Sequence, residues 1–162
     1  RDKKSVKAGD FWVTYSYLNT KRLFQNYPVE AMPTFSTAHN FSVVYKQFVP
    51  QIGSNFGITY TYTSGRPYFD AANPVFLGDR TKAFTNVSIA ASHIRAIKGS
   101  FLVFFLTVDN VLGRRNEFGF RYSSDGQSRF PVIPVAYRTL FFGVSMNISS
   151  NAEVPKEGKL DL

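Results

Sequence analysis

Six stretches of this chain carry no Asp, Glu, Lys or Arg: residues 11–20, 35–45, 54–64, 84–94, 100–108 and 139–149. Each is about 9 to 11 residues long, the length a tilted strand needs to cross the hydrocarbon of a bilayer. The charges are crowded between them. Lys21 and Arg22 close the first stretch, and Arg66, Arg80, Lys82, Arg95, Lys98, Arg114, Arg115, Arg121, Arg129 and Arg138 fall in the connections, as Lys3, Lys4 and Lys7 precede the first stretch.

Within the stretches, apolar residues recur with the two-residue period of a strand whose faces meet unlike surroundings. Phe11, Val13, Tyr15 and Tyr17 oppose Thr14 and Ser16; Phe41, Val43 and Tyr45 oppose Asn40 and Ser42. Phe56, Ile58, Tyr60 and Tyr62 oppose Asn55, Gly57, Thr59 and Thr61, and Leu140, Phe142, Val144, Met146 and Ile148 oppose Thr139, Gly143, Ser145 and Asn147. The pattern is weaker in Val87, Ile89 and Ala91, and residues 101–106 are apolar on both faces, with Thr107 and Asp109 marking the polar side. A soluble antiparallel sandwich also alternates, but its wet face normally carries Lys, Glu and Arg. Here that face holds Ser, Thr, Asn and Gly, with Lys46 in phase with it. The pattern fits lipid on one side and a hydrated or plug-filled lumen on the other, because a charge facing lipid at mid-bilayer costs about 2–4 kcal/mol.

The connections carry a second signal. In order they are long, short, long, short, long: residue 21 to the run before 35, then 46–53, 65–83, 95–99 and 109–138. Outer-membrane barrels place short turns on the periplasmic side and long loops outside. Rings near the ends of the stretches, Trp12, Tyr17, Tyr45, Phe48, Tyr62, Tyr68, Phe84 and Tyr137, are candidates for interfacial girdles. The expected fold is therefore all-β, an antiparallel transmembrane β-barrel segment of about six strands over residues 1–149, with a polar flexible tail at 150–162. Six strands do not close a membrane barrel, since natural ones begin at about eight, and open edges in lipid leave backbone groups unpaired. The chain must join further strands. Without an initiator Met or an apolar leader, it reads as an internal or C-terminal piece of a larger protein.

The net charge of +8 first suggests a phosphate-bearing partner. A soluble β-barrel that binds single-stranded nucleic acid would interleave cations and stacking rings on one sheet face. The stretches contain no such cations, so no nucleic-acid partner is expected. Absence of Cys removes a disulfide framework, a thiolate metal site and a cysteine nucleophile. The two histidines, His39 and His93, have no acidic or second His partner at metal-ligand spacing. No Gly-x-Ser-x-Gly elbow occurs, and no Ser/His/Asp grouping can be assembled. Neither enzymatic activity nor a cofactor is expected.

Arg66 and Tyr68 in Ser64-Gly65-Arg66-Pro67-Tyr68, and Arg114 and Arg115 after Gly113, place guanidinium groups beside outward turns. They are the candidate contacts for an anionic ligand or lipopolysaccharide phosphate, for which the planar fork of Arg is suited. The three Asn-x-Ser triplets at Asn40, Asn86 and Asn147 fall in strands and are read as chance matches.

The run Asp10 to Arg22 (DFWVTYSYLNTKR), then Ser64-Gly65-Arg66-Pro67-Tyr68, Val108-Asp109-Asn110-Val111-Leu112-Gly113, Phe118-Gly119-Phe120-Arg121-Tyr122-Ser123 and Arg138 to Val144 (RTLFFGV) resembles the C-terminal part of a TonB-dependent outer-membrane receptor. The resemblance spans residues 1–149. It implies the last strands of a 22-stranded barrel around an N-terminal plug, and energised uptake of a scarce nutrient such as an iron chelate, cobalamin or an oligosaccharide. The implied partners are the remaining strands and plug, the TonB complex, outer-membrane lipid and lipopolysaccharide, the ligand and a surface lipoprotein. The plug and the TonB-contacting segment are not in this sequence, and a polar tail follows the last strand where the family usually ends on an aromatic residue. A passive porin, an outer-membrane enzyme or an adhesin would use the same barrel physics.

Overall fold

The computed structural model describes residues 9–97 and 100–147. Among the described residues ten strands form: β1 (Asp10–Tyr17), β2 (His39–Val49), β3 (Ser54–Thr63), β4 (Pro67–Tyr68), β5 (Asp79–Arg80), β6 (Phe84–Ile97), β7 (Ser100–Asp109), β8 (Gly119–Tyr122), β9 (Arg129–Val132) and β10 (Thr139–Asn147). Six of them make one antiparallel sheet in the order β1-β2-β3-β6-β7-β10, so neighbours in space follow the chain. The sheet is open, with β1 and β10 at its edges. The pairs β4–β5 and β8–β9 are small hairpin ladders within the second and third long connections.

Register joins the separate apolar faces into one. Val43 of β2 lies opposite Val13 and Tyr60, Tyr60 opposite Val87, Ile89 opposite Ile58 and Val108, and Val108 opposite Leu140. The two-sided β7 is resolved by the same ladder: Leu102, Phe104, Leu106 and Val108 belong to the apolar face, and Phe101, Val103, Phe105 and Thr107 to the other. The second face carries Thr14, Ser42, Thr61 and Asn86 in one cross-strand row, with Thr59 paired to Ser88 beside it, and, as expected, Lys46, whose ammonium sits 5.4 Å from the Trp12 ring.

Connections 18–38, 64–83 and 110–138 all leave the same end of the sheet, and the turn at 50–53 leaves the other, the end at which β6 stops and β7 starts. The first short turn is a 3-10 turn, Pro50–Ile52, closed by Gly53 at φ 57°. Glycine takes this left-handed conformation without the penalty a side chain would bring. The Gly53 carbonyl then accepts a hydrogen bond from Ile94 N at 2.9 Å, tying the turn to β6.

Several expected boundaries move. The second strand runs four residues later than the charge-free stretch, because residues 35–38 belong to the first connection, where Ser36 N bonds Pro33 O at 3.0 Å. It also continues through Lys46, whose side chain points to the tolerant polar face. β6 extends past residue 94 to Ile97 and carries Arg95 in register with Leu102 on the apolar face, near the short-turn end. Charge is thus not wholly confined to connections. The first strand stops at Tyr17, not at residue 20. Of the expected girdle rings, Tyr17, Tyr45 and Tyr62 share the apolar face, Trp12, Phe48 and Phe84 lie on the polar face, and Tyr68 and Tyr137 sit in connections. Ile148, Ser149, the tail at 150–162 and residues 1–8 fall outside the described residues.

The buried residues lie away from the sheet. Ala31, Pro33, Ser36, Pro67, Leu77, Thr81, Asn110 and Asn116 are buried in the long connections, whereas in the described part of the six-stranded sheet only Ser54 is. Even on the central strand β3, Ile58 remains 45% exposed, and Leu140 on the edge is 70% exposed.

Candidate functional site

The three long connections converge into one packed cap. Tyr27 meets Phe76 edge-on with centroids 5.0 Å apart, tying the first to the second. Lys82 and Glu117 pair at 3.3 Å, and Phe84 stacks on Phe118 at 6.0 Å. Buried Asn116 bridges the backbone of Thr85, donating to its carbonyl at 3.0 Å and accepting from its N–H at 3.2 Å. These contacts close the third connection over the second.

A second asparagine organises the third connection from within. Asn110 adopts φ 51°, a left-handed conformation that Asn tolerates better than most side chains. Its amide donates to the carbonyls of Arg114, at 2.8 Å, and Tyr137, and its oxygen accepts from Arg114 N at 3.0 Å. Arg138 Nη2 donates to Val111 O at 2.6 Å. Both ends of the connection are therefore held beside β7, and the hairpin β8–β9 projects from a fixed base.

Between the connections lies a cleft of about 430 Å³, lined by Thr34 and Phe35 from the first, Arg66 to Phe69 from the second, and Phe118 to Phe120, Tyr122 and Val132 from the third. Alternation along β8 explains its aromatic wall. Phe120 and Tyr122 project to the same side, while Arg121 projects to the other, opposite Phe130. The Arg129 guanidinium lies 4.5 Å from the Phe120 centroid and 5.7 Å from that of Tyr68, and the two rings are 4.6 Å apart. Arg129 also donates to Tyr68 Oη at 3.0 Å and pairs with Asp70 at 3.2 Å. Tyr122, then Tyr68 and Asp70, push the guanidinium pKa further up. Arg129 is consequently committed to bracing the wall.

Of the residues singled out from sequence, Arg66 and Tyr68 line the cleft. Arg114 and Arg115 do not: they sit in the Asn110 turn, with the Arg115 guanidinium 5.4 Å from the Tyr137 ring. Arg129, Asp70 and Phe120 were missed as site residues. The alternation of Phe118, Phe120 and Tyr122 was the available signal for the aromatic wall, but the 59-residue pairing of Arg129 with Asp70 left none.

The histidines lie on the apolar face at opposite ends of the sheet, His39 bonded to Tyr15 Oη at 2.9 Å and His93 to Ser54 Oγ at 3.0 Å. The Ser54 hydroxyl also lies within hydrogen-bond distance of Ile52 O, at 3.1 Å, and the His93 tautomer sets which partner donates in their bond. Among the described residues, no three His, Cys, Asp or Glu side chains gather as a metal site.

No protein-family model matches the chain, and neither curated proteins nor solved structures gave a match.

Proposed function

We propose that the chain is the C-terminal portion of the barrel of a TonB-dependent outer-membrane receptor, with residues 1–149 supplying its last strands and three of its outer loops. One observation carries the reading: a six-stranded sheet leaves a continuous apolar face exposed on every strand, while the connections at one end bury their own residues. Water would not tolerate such a face without a partner, since monomers rarely expose apolar patches beyond a few hundred Å². Lipid would. Ten residues at about 3.3 Å each, tilted about 45°, span roughly 23 Å, close to the apolar band of such barrels. The open edges at β1 and β10 then pair with the remaining strands of the full-length protein, because unpaired edge groups in hydrocarbon cost several kcal/mol each. Arg95, near the short-turn end, reaches the headgroups along its own stem.

On this reading the polar face lines the lumen beside the plug, and the long connections face the medium, lipopolysaccharide, ligand and a surface lipoprotein. Fractionation of the full-length gene product tests the placement: it is expected in the outer membrane after carbonate washing, and recovery as a soluble cytosolic monomer would refute it. Energised uptake is tested in the same cells. Ligand accumulation that survives a protonophore and deletion of TonB would make the barrel a passive porin instead.

A further inference from the structure

We infer that the cleft between the three long connections is an anion site for a ring-bearing ligand, with Arg66 taking the charge. The inference rests on the receptor reading only in that the full-length protein presents the cleft to the medium. Arg66 is held in place by its backbone: its N–H donates to Thr81 Oγ1 and its carbonyl accepts from Thr81 N, both at 2.9 Å, and Thr81 and the adjoining Pro67 are buried. A Cβ on Gly65 would stand 1.9 Å from Thr81 O, so this junction closes only around glycine. The Arg66 guanidinium lies 5.4 Å from the Phe118 ring. Among the described residues it has no carboxylate, carbonyl or hydroxyl acceptor. Arg129, by contrast, already holds Asp70 and Tyr68.

A half-buried arginine whose guanidinium has no acceptor among the described residues, carried on a fixed backbone beside an aromatic cleft, is prepared for a carboxylate-type oxyanion that accepts two parallel hydrogen bonds. The rings of Phe35, Phe69 and Phe120 supply flat apolar surface beside it, which suits an aromatic or similarly planar group on the same ligand. Charge around the cleft agrees. The three long connections together hold ten Lys and Arg against five Asp and Glu, a net +5 that draws anions toward this end of the sheet.

Benzoate, with benzamide as its uncharged isostere, provides the probe pair, titrated against the full-length protein in detergent and followed by saturation-transfer NMR, with protein-free micelles as blank. Benzoate is expected to bind saturably and more tightly than benzamide. Arg66→Gln should weaken benzoate about tenfold or more and leave benzamide unchanged, since a hydrogen bond to a charged group carries that effect. Arg66→Lys, which keeps the charge and loses the fork, should fall between. Arg121→Gln removes the same charge from the far side of the β8–β9 hairpin and should change benzoate binding less than about twofold, separating a site from a general field. The inference is overturned if wild type shows no saturable benzoate binding, if benzamide binds as well, if Arg66→Gln binds benzoate normally, or if Arg121→Gln loses as much as Arg66→Gln. Any of these in a protein that still fractionates to the outer membrane removes the anion site alone; failure of fractionation removes the receptor reading.

Discussion

The six-stranded sheet and the cap of long connections follow opposite rules. In a water-soluble β protein the sheet supplies the core and the loops lie over the surface with their backbone solvated. Here Ile58, at the centre of the central strand, is 45% exposed, whereas Asn110 and Asn116, in a connection, are buried at 8% and 7%. The sheet is held by its backbone ladder, and on the membrane reading lipid covers Phe41, Tyr60 and Leu106. The cap is held by side-chain hydrogen bonds, ring contacts and two ion pairs. On the membrane reading, lipid replaces protein as the sheet's apolar partner, which would account for both halves.

The largest expected effect comes from setting the sheet's faces against each other. Ile58 and Thr59 are neighbours at the middle of β3 and point to opposite sides. On the membrane reading, Ile58→Arg places a guanidinium in lipid and costs about 2–4 kcal/mol, while Thr59→Arg, facing the lumen, costs less than about 1 kcal/mol. Urea midpoints of the full-length protein refolded into vesicles measure the difference. Equal costs would mean that the two faces meet the same medium, and the comparison would collapse.

A smaller effect probes the cap. Asn110→Ala removes three hydrogen bonds at once and leaves the Arg114 N–H and the Arg114 and Tyr137 carbonyls without that partner in a part-buried site. The expected cost is about 2–3 kcal/mol, confined to the third connection. Limited proteolysis should show new cleavage within 111–138, with the sheet still resistant. Asn110→Gly, which accepts the positive φ but restores no hydrogen bond, should rescue little. Loss of the whole sheet in either variant would show that the cap and the sheet are one cooperative unit rather than two.

How much of this was readable from residues follows the same division. The sheet was legible because its signal is local: alternation of period two set the faces of Phe41, Val43 and Tyr45 correctly even though the ends of β2 were misplaced. Those ends were lost because absence of charge is a cruder signal than alternation. Residues 35–38 are uncharged but turn, and Lys46 is charged but sits in the strand beside Trp12. Arg95 carries the charge of a connection yet lies in β6, whose ladder runs three residues past 94, to Ile97. The faces of β7, apolar on both sides, needed the register with β6 and β10. The cap was only half legible. Arg66 and Tyr68 stood out beside their turn residues, but the roles of Arg114 and Arg115 depend on Asn110, and those of Arg129 and Asp70 on packing between connections 59 positions apart. Contacts of that kind leave no periodicity in a single sequence.

The smallest effect separates the rim of the cap from its buried base. At the tip of the β8–β9 hairpin, the Asp125 carboxylate accepts from the Ser123 hydroxyl and from Gln127 N, at 3.0 Å for the latter, and these two bonds hold its pKa below the ordinary value of 3.8. Because the folded-state pKa is depressed, the carboxylate's contribution to the turn is complete above about 3.8 and is lost as pH falls through the folded value. Amide exchange at Gln127, corrected for its intrinsic rate, should therefore accelerate on acidification only below that ordinary value. Asp125→Asn keeps an acceptor oxygen but no titrating charge, so the acceleration should vanish. The turn is exposed and the bonds are local, so melting it should leave the Asn110 and Asn116 contacts intact. If acid instead released amides beside Asn110 at the same pH, the hairpin tip and the base of the cap would open together, and the division between them would have to be redrawn around a single acid-sensitive unit.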